Sequence, residues 1–381
     1  MLNRKNFIAA MLGKRIGQVP LLMREGFEYW WEPRGKDAFR AAWMTEGQYR
    51  RLIQGVKEAQ AYILCQEQPL LFNRFMMTST NRIQTKIKEV DENTRDIYGQ
   101  LHTAKGVLKF RDSVFRNQCT QWNMEVPVVE LEQMEALLET PFEIDMDEVE
   151  LTAGHVRDMV ERLDERVIYQ FFIPSPIVAI SRCMDFEMFL EVSLTERELI
   201  LEGLKEITRR QLLMLDAVVP KLPDHIVFWM GGSEQCAPPM MHPEAFDLFV
   251  EPYDSQIVEK IHSYGYAVGC HCHGKVKHAL GVMKRIGYDA TEPVEPSPQG
   301  NVSMREGFEI ASGKMTLIGN LEWADLELCS QEQIRERVRA LGEFKNERLI
   351  VASSAGPITS VTSKLVDNHL AWLEAYEDVF G

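Results

Sequence analysis

No uncharged apolar stretch in the 381 residues reaches the roughly 18 residues that a membrane-spanning helix requires. No Gly-x-Gly-x-x-Gly follows any apolar run, which removes the fingerprint of dinucleotide binding. Basic residues are outnumbered, 42 against 57 acidic ones, for a formal charge of −15. Nucleic acid and anionic membrane surfaces are therefore repelled at long range. Cysteine is sparse as well: seven residues, an odd number without a tight framework, which fits a reducing cytoplasm better than a secreted disulfide scaffold. The basic start Met1–Asn6 meets Lys14 and Arg15 before any uninterrupted apolar run, so no signal peptide is expected. What remains is a chain with 45% apolar residues, enough to fill one large core or two smaller ones.

The most informative segment is Gly269-Cys270-His271-Cys272-His273-Gly274, at the end of the apolar lead Tyr266-Ala267-Val268. Successive side chains of an extended strand point to opposite faces. His271 and His273 would share one face, and Cys270 and Cys272 the other. Imidazole and thiolate are the groups that hold zinc at neutral pH. The alternative is that the histidines meet substrate or core partners while the cysteines pack as small hydrophobes.

From about residue 150 the chain alternates strand and helix. Continuous apolar runs begin at Val167, Ile226, Tyr266, Ala290, Met315 and Leu349, with helices predicted over 153–163, 185–190, 196–215, 243–264, 276–286, 304–311, 331–341 and 364–379. A Thr195/Glu198 pair reads as a capping box. Runs too apolar for a solvated face demand a parallel sheet covered by helices. Adding Val19–Met23 and one element near 107–129 gives eight strands. The expected fold is therefore α/β, a (β/α)8 TIM barrel with an N-terminal helical extension or insertion. A single domain over 1–381 is expected, with an elaborated helical region at about 27–125 that carries Tyr29, Trp30, Trp31 and Trp43. An open doubly wound sheet is the competing topology.

In such a barrel, chemistry gathers at the C-terminal ends of the strands. Those ends read Arg24-Glu25, Pro174-Ser175-Pro176, Gly231-Gly232-Ser233-Glu234, His271–Gly274, Glu292-Pro293-Val294-Glu295, Asn320-Leu321-Glu322 and Ser353–Gly356. Glu234, Glu295 and Glu322 beside two histidines require a cation or a shared proton in a dry cavity. His271 and His273 are the leading metal ligands, with Glu234 as an oxygen ligand or general base and Glu295 in the same role less directly. Asn320 is a hydrogen-bonding group for a substrate carboxylate or a ligand histidine, or else a loop cap. Arg24 is an anion anchor through its bidentate fork, or an exposed turn arginine. Cys236 is a thiolate donor or a buried loop cysteine.

With these residues in view, the chain resembles the uroporphyrinogen decarboxylase superfamily, which includes cobalamin-linked methyltransferases. The likeness spans nearly the whole chain. It is strongest in Met241–Phe246 through Pro252, Ile261–Tyr266, His271–Gly274, Gly319–Glu322 and Val351–Gly356. The resemblance implies a (β/α)8 barrel. In the methyltransferase branch a His-x-Cys-Gly and a late cysteine hold zinc; the first histidine falls on His271, the cysteine of the pair on His273, and the late cysteine near Ala355. Another residue must then replace the thiolate, and Glu234 is nearest in kind. The decarboxylase branch carries an Arg-Gln-Ala-Gly-Arg stretch, of which Met23–Phe27 keeps the first arginine and loses the second. Tetrapyrrole decarboxylation is accordingly disfavoured.

The leading expectation is metal-dependent methyl transfer between a small methylated substrate, such as an aryl methyl ether, and a thiol or corrinoid acceptor. Zn2+ would be the resident metal. Cobalamin would arrive on a separate corrinoid protein, because the chain has no Asp-x-His-x-x-Gly motif. The alternatives are a decarboxylase of a small aromatic or tetrapyrrole-like acid, anchored by Arg24, and a non-catalytic corrinoid- or ligand-binding protein. A homodimer is compatible with the sequence; no nucleic-acid or membrane partner is expected.

Overall fold

Eight parallel strands close on themselves in the computed structural model, in the spatial order β1-β12-β11-β10-β9-β8-β7-β2. The structure describes residues 2–24, 26–27, 39, 47–75, 82–116, 118, 120–356 and 361–381. The barrel strands are β1 (Leu21–Met23), β2 (Ala61–Glu67), β7 (Val167–Pro174), β8 (Val227–Gly231), β9 (Val268–His271), β10 (Ala290–Glu292), β11 (Thr316–Leu321) and β12 (Leu349–Ser353). Between β2 and β7 the chain makes a separate antiparallel sheet of β3 (Ile83–Glu89), β4 (Thr94–Thr103), β5 (Gly106–Phe115) and β6 (Gln121–Glu125). No helix of the described residues is long and apolar enough to cross a membrane.

The period of two along each barrel strand divides its side chains between two cores. Leu22, Leu64, Ile168, Phe172, Val227, Trp229, Ile318 and Ile350 fill the barrel interior. Their neighbours Leu21, Ile63, Val167, Phe171, Phe228, Val268 and Val351 pack outward beneath the helices. Both sets are apolar because both faces are covered, which is why the runs showed no alternation. The N-terminal helix Arg4–Met11 seals the barrel's base. Its Phe7 and Met11 join the interior cluster, and Arg4 donates to the carbonyls of Leu163 at 2.6 Å and Val167 at 2.9 Å.

The expected barrel and N-terminal helix are present, but the expectation for 27–125 needs correction. A helix does cover Gly47–Glu58, while most of the described remainder is strand. The second barrel strand is Ala61–Glu67, and the element sought near 107–129 is part of the antiparallel sheet. Tyr29, Trp30, Trp31, Trp43 and the rim residue Glu25 lie outside the described residues. Two smaller corrections concern helices. The predicted helix 243–264 is two pieces, Ala245–Phe249 and Glu251–Ser263, divided just before Pro252. The Thr195/Glu198 box does not form, because Thr195 ends the preceding helix and donates back to the Glu191 carbonyl.

Candidate active site at the barrel mouth

His271 is the last residue of β9, and Glu292 is the last of β10, paired with it in register. Register partners on adjacent strands project to the same side, so the Glu292 carboxylate reaches His271 Nδ1 at 3.1 Å. Glu292 also forms an ion pair with Arg24, which follows β1 on the other side of the mouth. A carboxylate so held accepts the Nδ1 proton and leaves Nε2 as the lone-pair atom of a neutral ring. Burial, then the charges of His273 and Arg24, keep the His271 pKa well below the usual histidine value.

Two residues on, the backbone turns at Gly274, whose φ of +94° is costly for any residue with a Cβ. The turn aims two donors at one carboxylate: His273 Nδ1 stands 2.7 Å from Glu295 Oε1, and the Gly274 amide donates to Oε2 at 2.7 Å. Burial opposes a charged His273. The hydrogen bond and charge of Glu295, with Glu234 added, outweigh it and hold the pKa above the ordinary value. Burial would raise Glu295 too, but its bonds to His273 and Gly274 bring it below the usual carboxylate range. The two imidazoles meet edge to face, 4.6 Å between centroids.

Glu234 lies in a single 3-10 turn, Ser233–Cys236, entered through Gly232 at φ +87°. Its Oε1 accepts from the His273 amide at 3.3 Å and stands 3.9 Å from His271 Nε2. Burial pushes this carboxyl's pKa up against those contacts. Glu322, after β11, is pushed up to about 7 by burial and by the charge of Glu295. Ser354 hydrogen-bonds its carboxyl, leaving Oε1 buried without a hydrogen-bond partner among the described residues. Here a raised pKa and an imidazole–carboxylate pair relieve the like-charge repulsion.

The predicted residues are thus distributed as follows. His271, His273, Glu234 and Glu295 come together, and Glu322 is close enough to feel the charges of Glu295 and His273. Arg24 is neither an exposed turn arginine nor an open anion anchor, being 2% exposed and paired with Glu292. Asn320 is half-buried in β11 beside Ala352, with no hydrogen bond to the histidines among the described residues. Cys270, Cys272 and Cys236 pack in the outer core, where burial raises all three thiol pKa values. Cys236 is a buried loop cysteine. Ala355 follows β12, as the missing late cysteine implied.

Sequence reasoning passed over Glu292, Gln66 and Arg182. Glu292 was legible in principle, since a strand-end acid in phase with His271 must face it. Arg182 carries no motif. It follows the short helix Pro176–Ser181 and lines, with Arg24, Gln66, Phe172, Glu234 and His271, a cavity of about 280 Å³. Among the described residues, no three His, Cys, Asp or Glu side chains are assembled to enclose a metal ion.

A closed parallel barrel with its polar groups gathered at the C-terminal rim defines a (β/α)8-barrel protein of the enzyme-associated kind. The model of the uroporphyrinogen decarboxylase (URO-D) family matches residues 119–375, and the chain belongs to that family. A methyltransferase from Methanosarcina mazei shares the fold at a TM-score of 0.60 and 14% identity, with 99% of each chain covered. A putative vitamin-B12-independent methionine synthase from Listeria monocytogenes matches at a TM-score of 0.41 and 13% identity, over 60% of this chain and 69% of that one. No curated protein matches the chain.

Proposed function

We propose that the protein is a metal-dependent methyltransferase acting on a small methylated substrate, with His271, Glu234 and His273 holding a divalent metal, zinc by the chemistry of the donors. The observation that carries this reading is that both imidazoles are held through Nδ1 by carboxylates, Glu292 and Glu295. That is the support a metal-bound histidine ordinarily has. His271 Nε2 and Glu234 Oε1 stand 3.9 Å apart, close to the separation of about 3.4 Å between two donors of a tetrahedral zinc. His273 would be the third ligand, and the three side chains would have to rearrange around the ion, since no such trio is assembled among the described residues.

A bound zinc would supply Lewis acidity toward a substrate oxygen or thiol. The remaining chemistry belongs to the chain. Glu292, clamped by Arg24, fixes the His271 ring and its tautomer. Glu295 does the same for His273. Glu322, with a pKa of about 7, is half protonated near neutrality and suits the general acid. The acceptor, a thiolate or a corrinoid, would take the methyl group with its own electron pair, the pair of the broken C–O bond would stay on oxygen, and Glu322 would protonate that oxygen. The corrinoid, where it is the acceptor, is carried by a separate protein.

Zinc content by atomic emission and zinc titration by calorimetry test the reading on the full chain. About one zinc per chain is expected, with affinity reduced at least about tenfold in His271→Ala and Glu234→Gln. Protein that carries no zinc after zinc-supplemented expression and takes none up on titration would overturn it. Methylated product formed from a methoxyarene and a thiol or corrinoid acceptor, followed by mass spectrometry, tests the reaction itself.

Decarboxylation is the second reading, favoured by Glu322 as a proton donor to a carbanion. It finds no carboxylate anchor in Arg24, which is engaged by Glu292.

A further inference from the structure

Two arginines near Arg182, one on the same cavity and one whose charge reaches it, are already neutralised. Arg24 is paired with Glu292. Arg74 is paired with Asp112 at 2.9 Å and also donates to Asn123 at 2.8 Å. Arg182 is different. It lines the cavity, and no carboxylate of the described residues lies within ion-pair distance of its guanidinium. Glu234, on the same cavity, makes its close contacts to His271 and the His273 amide, and its charge reaches Arg182 without forming an ion pair. A half-buried guanidinium that feels a nearby carboxyl but makes no ion pair or hydrogen bond among the described residues keeps its donors open to an anion entering the cavity.

The surroundings narrow what that something is. Phe172 and Val178 contribute apolar wall, while Gln66 and Gln235 contribute side-chain amides. The Gln235 Oε1 is buried with no hydrogen-bond partner among the described residues. A volume of about 280 Å³ lies at the small end of ligand sites. The neighbouring Glu234 and the single open guanidinium suit a monoanion better than a dianion, since a second negative charge would face the carboxyl unpaired. The planar fork of arginine matches the two oxygens of a carboxylate.

We propose that the substrate is a small aromatic or otherwise apolar monocarboxylic acid whose carboxylate is bound by Arg182, with Gln66 and Gln235 beside it and its other end turned toward His271 and Glu234. The reacting end of this pose rests on the proposed methyl-transfer site; the carboxylate subsite does not. Arg182, and not Arg24, is thus the specificity determinant of this cavity.

Calorimetry on the full chain tests it with 3-methoxybenzoate, its uncharged amide and phenylphosphonate as probes. Wild type is expected to prefer the carboxylate over the amide by at least about tenfold, and over the dianionic phosphonate. Arg182→Gln should abolish the preference with an unchanged melting curve. If that variant fails to fold, Arg182→Lys replaces it and should lose most of the preference while keeping the charge. His271→Ala should lose zinc yet retain the carboxylate preference, which separates failure of this subsite from failure of the metal site. Equal affinity of wild type for carboxylate and amide, a preference that survives in Arg182→Gln (or unreduced in Arg182→Lys), or no binding of the carboxylate up to about 10 mM would overturn the proposal.

Discussion

Asp254 shows how far burial alone moves an acid in this protein. It is 1% exposed, accepts from Ser175 Oγ and Tyr288 Oη at 2.7 Å each, and faces the thiols of Cys236 and Cys270. Burial outweighs both hydrogen bonds and pushes its pKa up to about 7. An acid raised in the folded state binds its proton more tightly there than in the unfolded chain. Stability is therefore greatest below the unfolded pKa and declines as pH rises toward 7, by about 4 kcal/mol for this group alone. Asp254→Asn, which can keep the acceptor, is expected to flatten that slope between about pH 4 and pH 7. Denaturant midpoints of wild type and variant across that range check it; parallel slopes would show that Asp254 is not protonated in the fold.

At the scale of the element, the N-terminal helix has the clearest role. Phe7 lies against Tyr62, 5.1 Å between ring centroids, at the base of the barrel interior. Phe7→Ala should cost about 3–5 kcal/mol, as large-to-small core changes do, and is measured by chemical denaturation. A loss below about 1 kcal/mol would mean that the helix does not seal the base. The barrel elements were largely readable because their physics is local. Ala290–Glu292, Met304–Ala311 and Gln331–Leu341 form where the apolar pattern placed them. The antiparallel sheet was not read, although Ile83, Thr85 and Ile87 alternate with Gln84, Lys86 and Lys88 along β3. Its mostly exposed residues resemble loop composition, and its pairing comes from β4 rather than from β3 itself. At the site, the strand-end rule pointed to His271, His273, Glu234 and Glu295, which the structure brings together at the rim. It missed the Arg24–Glu292 pair and Arg182 because both depend on what lies across the barrel, which no local pattern encodes.

Over the whole molecule, the ring is completed by pairing β1 with β12, more than three hundred residues apart in sequence. The last helix, Ser363–Phe380, reinforces that seam. It packs on Gly47–Glu58, buries Trp372 completely, and its Tyr376 hydroxyl donates to the Val19 carbonyl just ahead of β1. Removing residues 363–381 should therefore abolish the cooperative thermal transition rather than trim the molecule. Circular dichroism melts of the shortened chain check this; a sharp transition near that of the full chain would show that the seam holds without the helix.

The Arg24–Glu292 clamp gives the molecule an internal check on its own assembly. One partner comes from the first stave of the barrel and the other from the sixth, and the second also steadies the His271 ring. Until the first stave is in place, that imidazole leans on an acid with no counter-charge. Order at the mouth is thereby tied to completion of the ring.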